Sequence, residues 1–152
     1  MIIAVANQKG GVAKTTCTHN LGAALASDMN KKVLLIDFDS QASLTISAAL
    51  EPLEIQDNIV SVLKKNGKPV SDCVRKLKNN LYIITSSIEL AQLENEMMNR
   101  SSREKILDRA LASVKGDYDF ILTSTRQEVP RLKNPQILGG GMNCRNLSKR
   151  LH

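Results

Sequence analysis

Asn7-Gln8-Lys9-Gly10-Gly11-Val12-Ala13-Lys14-Thr15-Thr16 is the stretch that decides how this chain folds. Just before it, Ile2-Ile3-Ala4-Val5-Ala6 is a short apolar run ending at a glycine loop, the pattern of a buried strand. Just after it, Thr15 to Met29 carries Leu21, Ala24, Leu25 and Met29 at helical spacing. Asn30 follows, a residue able to take the left-handed backbone just past a helix end. Strand, glycine loop and helix in that order suit a phosphate. Gly10 and Gly11 allow the backbone to wrap with its N–H groups turned inward. The helix start adds unpaired N–H donors and the positive end of a dipole. Lys14 can reach β- and γ-phosphates, the Thr15 hydroxyl can ligate Mg²⁺, and Thr16 can donate to the α-phosphate.

Outward from this loop, apolar runs and helical patterns alternate. Val33 to Asp37 holds four contiguous aliphatic residues, as expected of a strand covered on both faces. Ser43–Ala49 and Asp57–Leu63 read as short helices and Leu81–Thr85 as a third strand. Ser86 with Glu89 and Ser101 with Glu104 fit S-x-x-E capping boxes, each opening a helix. Gly116 closes the second of these, and Tyr118–Leu122 reads as a fourth strand. Strands separated by helices predict an α/β fold with right-handed crossovers and a parallel sheet.

A second constellation closes the second strand: Asp37-Phe38-Asp39-Ser40-Gln41. With a period of two, Asp37 and Asp39 point to one side and Phe38 to the other. Carboxylates at the carboxyl end of a parallel strand lie where such sheets bind ligands. They suit a Mg²⁺-bound water network and the orientation of an attacking water.

The ordinary phosphate-loop pattern G-x-x-x-x-G-K-[ST] is not met, because its glycines would fall at Gln8 and Ala13. The stretch from Lys9 to Thr16 instead resembles the deviant Walker A motif, K-G-G-x-G-K-[ST]-[ST], of the ParA/MinD family of ATPases. Within that family N-Q-K-G-G-V with K-T-T looks most like the ParA (Soj-type) chromosome and plasmid partitioning branch. The resemblance implies a P-loop NTPase-like parallel sheet flanked by helices, with ATP and Mg²⁺ as ligands. It implies that Gly10, Gly11, Val12, Ala13, Lys14, Thr15 and Thr16 bind nucleotide. Lys9 would reach the phosphates of a partner subunit in an ATP-dependent homodimer. Asp37-Phe38-Asp39-Ser40-Gln41 resembles the family's D-x-D-P-Q, with Ser40 in place of proline; by that match Asp39 positions the hydrolytic water and Asp37 supports Mg²⁺ through water. Ala13 departs from the family's glycine, and an alanine there is strain-free only at negative φ. The family's partners are a ParB-like protein and non-specific DNA, and its setting is the cytoplasm, at the nucleoid.

The resemblance covers about residues 1–122, through Tyr118-Asp119-Phe120-Ile121-Leu122, similar to the approach to Walker B. Beyond it Thr123 and Ser124 stand where the family has Ile and Asp, and Arg126 where it has proline. Composition changes at the same point. The net charge of the 152 residues is +6. Residues 1–122 hold 15 Lys or Arg against 14 Asp or Glu, whereas residues 123–152 hold six basic residues against Glu128 alone. Two readings compete for this basic tail: a polyanion-binding element, or a segment outside the fold, disordered or frame-shifted. Thr123-Ser124-Thr125-Arg126-Gln127 can be encoded ACA-TCG-ACA-CGC-CAG; dropping two nucleotides gives Ile-Asp-Thr-Pro, the family pattern.

Other classes are disfavoured. Hydrophobic content of 42% and charged content of 24% are those of a soluble globular domain. The longest apolar runs are too short to cross a bilayer, and no signal peptide is visible, so a cytoplasmic protein without membrane contact is expected. Cys17, Cys73 and Cys144 form neither a disulfide framework nor a zinc site, and Cys17 and Cys73 are expected to be buried. His19 is expected to pack or face solvent. Alternatives to a partitioning ATPase are a non-catalytic nucleotide-binding fragment that dimerises with a full-length relative, and a MinD-like membrane-associated ATPase, for which residues 142–152 make a poor amphipathic helix.

Overall fold

The structure is a computed structural model and describes residues 1–6, 11–64, 66–98, 103–125 and 136–138. Lys9, Gly10, Ser101 and most of the basic tail lie outside the described residues. Strand β1 (Ile2–Ala6) leads through the loop to helix α1 (Lys14–Ser27), then β2 (Val33–Phe38) and α2 (Ser43–Ser47). After a 3₁₀ turn at Pro52–Glu54 come α3 (Ile59–Leu63), α4 (Val70–Cys73), β3 (Val74–Lys78) and β4 (Leu81–Ile84). The described residues end with α5 (Glu89–Met98), α6 (Arg103–Leu111), β5 (Phe120–Thr125) and β6 (Gln136–Leu138).

The strands form one sheet in the order β3-β4-β2-β5-β1-β6. All neighbours pair in parallel except β3 with β4. The α/β architecture and the parallel sheet expected from sequence are therefore present. β2 is buried along its whole length, because both faces of the sheet are covered. On one face Leu34, Ile36 and Phe38 meet Ile59, Leu90, Leu107 and Leu111 of α3, α5 and α6. On the other, Val33 and Leu35 meet Leu25 and Leu44 of α1 and α2. Burying each such aliphatic side chain contributes about 1.5–3 kcal/mol.

Several details differ from the sequence reading, and one is the Ser86–Glu89 capping box: α5 starts at Glu89 itself, and the Ser86 hydroxyl has no partner among the described residues. The buried face of α1 is Thr18, Gly22, Leu25 and Ala26, not the stripe through Leu21, Ala24 and Met29. The approach is closest at Gly22, where a Cβ would lie 2.5 Å from Leu35 Cδ2 and that side chain would have to shift. Cys17, on the opposite side, is exposed, while Cys73 is buried as expected. The fourth expected strand starts and ends later, and Phe120–Thr125 is buried throughout. Finally, the antiparallel edge strand β3 was not expected. A register shift between Lys76 and Lys78 breaks the alternation by which a strand is recognised. Its exposed Arg75, Lys76 and Lys78 blunt an open sheet edge.

Candidate nucleotide site

The carboxyl ends of β1, β2, β4 and β5 lie along one edge of the sheet, and the candidate residues gather there. α1 begins at Lys14 directly after the glycine loop. Gly11 has φ +71, and a Cβ built on it would meet nothing within 4 Å, so the loop borders open space. Gly11, Val12, Ala13 and Thr16 are exposed, and Lys14 and Thr15 are half-buried. Ala13 stands just before the helix at φ 60 and ψ 24, the left-handed region. The alanine therefore carries the strain that a glycine would avoid, roughly 1–2 kcal/mol. The Thr18 hydroxyl donates to the Lys14 carbonyl at 2.9 Å, bracing the first turn.

β1 and β2 are not adjacent, because β5 runs between them. In register Val5 faces Ser124, and Ser124 faces Asp37. The loop-bearing strand and the carboxylate-bearing strand are thus about 10 Å apart, two strand spacings. A hydrogen-bond contact between Ser47 Oγ and His19 Nδ1 at 3.2 Å ties α2 to α1.

Phe38 enters the core under α3 and α5, as the period of two requires, and Asp37 is buried. Its Oδ2 accepts from both the Thr45 N–H and the Thr45 hydroxyl, each at 2.8 Å. The same hydroxyl accepts from the Ser86 N–H at 3.0 Å. Burial pushes the Asp37 carboxyl up to about 6; the Thr45 bonds oppose this and the charge of Asp39 adds to it. Asp39, half-buried just past the strand, accepts from the Gln41 N–H at 3.0 Å. Burial raises the Glu94 carboxyl on α5, and the charge of Asp39 raises it further.

The edge is also marked by polar atoms with nothing to bind. Among the described residues, Asp37 Oδ1 and the hydroxyls of Thr85, Ser86, Ser87 and Thr123 are buried without a hydrogen-bond partner. Such atoms are rare in a folded interior and concentrate where a ligand is received. The open loop at Gly11 and the free buried oxygen of Asp37 fit a phosphate group accompanied by a hydrated divalent cation. The sequence reading singled out Asp37 and Asp39 and took Ser86 only as a helix cap; the hydrogen bonds of Thr45 to Asp37 and Ser86, and the place of Glu94 near Asp39, were not expected from it. Thr45 lies eight residues beyond Asp37 on a separate helix, and nothing in its spacing points to it.

Residues 1–133 match the AAA domain family. The chain is 40% identical over 121 residues to the sporulation initiation inhibitor protein Soj of Bacillus subtilis, covering 80% of this chain and 47% of that protein. The chain belongs to the ParA-type AAA domain family. Among solved structures of similar fold is cobyrinic acid a,c-diamide synthase from Mycobacterium smegmatis with a bound ATP analog and magnesium. It is 37% identical, with a TM-score of 0.75 over 80% of this chain and 49% of that one. Another is a putative plasmid partition protein from Borrelia burgdorferi B31 bound to AMPPNP, 33% identical with a TM-score of 0.68, over 82% of this chain and 51% of that one. This ParA-type chain thus spans about half the length of the curated relatives it matches. Among the described residues no helix is long and apolar enough to cross a membrane.

Proposed function

We propose that this ParA-type chain binds ATP with Mg²⁺ at the carboxyl edge of its sheet and serves chromosome or plasmid partitioning. The observation that carries the reading is the opening at Gly11 before α1, on the same edge as a buried carboxylate with one unused oxygen. The nucleotide-bound state of two similar proteins supports it. Backbone N–H groups from Gly10 to Ala13 and the start of α1 hold phosphate oxygens, Lys14 neutralises the terminal phosphates, and Thr16 donates to the α-phosphate. Thr15 and, through water, Asp37 hold the cation. Mg²⁺, when bound, offsets charge on the phosphates. Asp39 orients water, and Lys9 acts on the nucleotide of a second copy, in an ATP-dependent homodimer. A ParB-like protein and non-specific DNA are the partners in this reading, in the cytoplasm at the nucleoid.

The experiment is ATP affinity of the wild type beside Lys14→Ala. Loss of one charge-assisted contact of roughly 2 kcal/mol lowers affinity about 30-fold. Unchanged affinity would refute the assignment.

Ser124 favours a second reading. It stands in register beside Asp37 where the family pattern has aspartate. A chain with one carboxylate at that place binds nucleotide and turns it over slowly or not at all, acting as a non-catalytic partner of a full-length relative. Turnover measured beside binding separates the two, and any turnover is expected to rise more than linearly with protein concentration.

A further inference from the structure

Thr45 sits at the centre of the polar contacts on the ligand edge, although nothing in the sequence pattern assigns it a role. It is fully buried. Its helix α2 begins after Ala42, whose methyl side chain cannot cap a helix start. The Thr45 N–H, a first-turn donor, goes instead to Asp37 Oδ2 at 2.8 Å.

The hydroxyl is constrained from both sides. The Ser86 N–H is only a donor, so Thr45 Oγ1 must accept from it, at 3.0 Å. The hydroxyl's single proton is then directed to Asp37 Oδ2, at 2.8 Å. Backbone donor and hydroxyl donor converge on one carboxylate oxygen. The other, Oδ1, is left buried with no partner among the described residues. A carboxylate bonded in this way cannot rotate about its last bond without breaking two hydrogen bonds.

We infer that Thr45 is a positioning residue for the cation: it occupies one oxygen of Asp37, presents the other to the hydrated metal, and ties that carboxylate to the segment after β4 through Ser86. The inference rests on the nucleotide reading above. It differs from a plain capping role in assigning the work to the hydroxyl, since substitution by serine, valine or alanine keeps the backbone N–H.

The test uses the full chain and a fluorescent ATP analogue titrated with Mg²⁺, for wild type, Thr45→Ser, Thr45→Val and Lys14→Ala. Thr45→Val is expected to raise the half-saturating Mg²⁺ concentration about tenfold, the lower range for loss of a partner behind a metal ligand. Thr45→Ser, which keeps the hydroxyl, is expected to stay within about twofold of wild type on the same ground. Nucleotide affinity without Mg²⁺ should be the same for wild type and the two Thr45 variants. If Thr45→Val disturbs folding, Thr45→Ala gives the same comparison with less bulk against Ser86. Equal Mg²⁺ dependence in Thr45→Val and wild type overturns the inference, as does an equal loss in Thr45→Ser and Thr45→Val. In either case nucleotide binding that requires Lys14 leaves the nucleotide reading standing. Binding indifferent to Lys14→Ala overturns both.

Discussion

The two ends of this parallel sheet solve the same turn problem with different residues. At the amino ends of the strands, the left-handed positions before β2 and β4 are asparagines, Asn30 at φ 50 and Asn80 at φ 60. Asparagine tolerates that conformation, and here the pair is also used, Asn80 Nδ2 donating to Asn30 Oδ1 at 2.7 Å. Nearby, Asp119 accepts from the Lys32 N–H at 2.8 Å, and the Lys32 ammonium lies 4.9 Å from the Tyr118 ring centroid. At the carboxyl ends, the left-handed positions before α1 and α2 are alanines, Ala13 and Ala42, which gain nothing from the conformation. Buried hydroxyls and one carboxylate oxygen there have no partner among the described residues. One end is built for stability, and the other holds strain and unsatisfied polarity. That division is expected of a scaffold whose ligand completes one edge.

The largest effect expected from this contrast is at Asp37. Its carboxyl rises from 3.8 to about 6 in the fold, so across that window the folded chain keeps a proton that the unfolded chain releases. Stability therefore falls as pH rises through the window, and above it the loss is on the order of 3 kcal/mol. Asp37→Asn should flatten the pH dependence of thermal unfolding between pH 4 and 6 and raise the Tm of the nucleotide-free chain above pH 6. A variant that keeps the slope and melts lower would break the contrast.

The opposite end should respond with the opposite sign. Asn80→Ala places a methyl in a left-handed position and removes the bond to Asn30, a destabilisation of about 2 kcal/mol in all. Asn80→Gly should recover about half of that, because only the strain is relieved. Urea unfolding of the two variants gives both numbers, and equal losses would mean that backbone strain is not what distinguishes the asparagines.

Legibility in the sequence follows the same division. β1, α1 and β2 were readable because a contiguous apolar strand and a helical period are local signals. Asn30 in the left-handed conformation was readable for the same reason. The buried face of α1 was not, since it depends on how closely Leu35 approaches Gly22 across the layer. β3 was hidden by its irregular register, and Thr45 by the fact that its partners lie on β2 and after β4. Ala13 departs visibly from the glycine pattern, but its φ of 60 is set by how the loop joins α1 and leaves no mark in the sequence.

Thr123 allows a finer test. Its side chain is buried, flanked in register by Ala4 and Ile36, and its hydroxyl has no partner among the described residues. We propose that residues 123–152 arise from a shifted reading frame, which would make this hydroxyl accidental. Thr123→Val should then stabilise the chain by about 1 kcal/mol by removing an unpaired buried hydroxyl, with ATP affinity unchanged. Reduced affinity would instead make the hydroxyl part of the site. The coding sequence decides the origin directly, because codons incompatible with Ile-Asp-Thr-Pro in the shifted frame exclude it.

The smallest effect belongs to Ala13. Relief of left-handed strain in Ala13→Gly is worth roughly 1–2 kcal/mol, and the added freedom of glycine in the unfolded chain offsets about 0.5–1 kcal/mol of it. A net gain between about 0 and 1.5 kcal/mol, centred below about 1, in chemical denaturation follows from those two terms. Ala13 is exposed, so no packing is lost to confuse the result. The nucleotide response is the more informative half. If the methyl group merely tolerates a conformation the loop must adopt, affinity for ATP should stay level or rise with the glycine, since the backbone can approach the phosphates more closely. If affinity falls while stability rises, the strained alanine is holding the loop open in the bound geometry. The strain at the ligand edge would then be preorganisation, sharpening its contrast with the relaxed asparagines at the other end of the sheet.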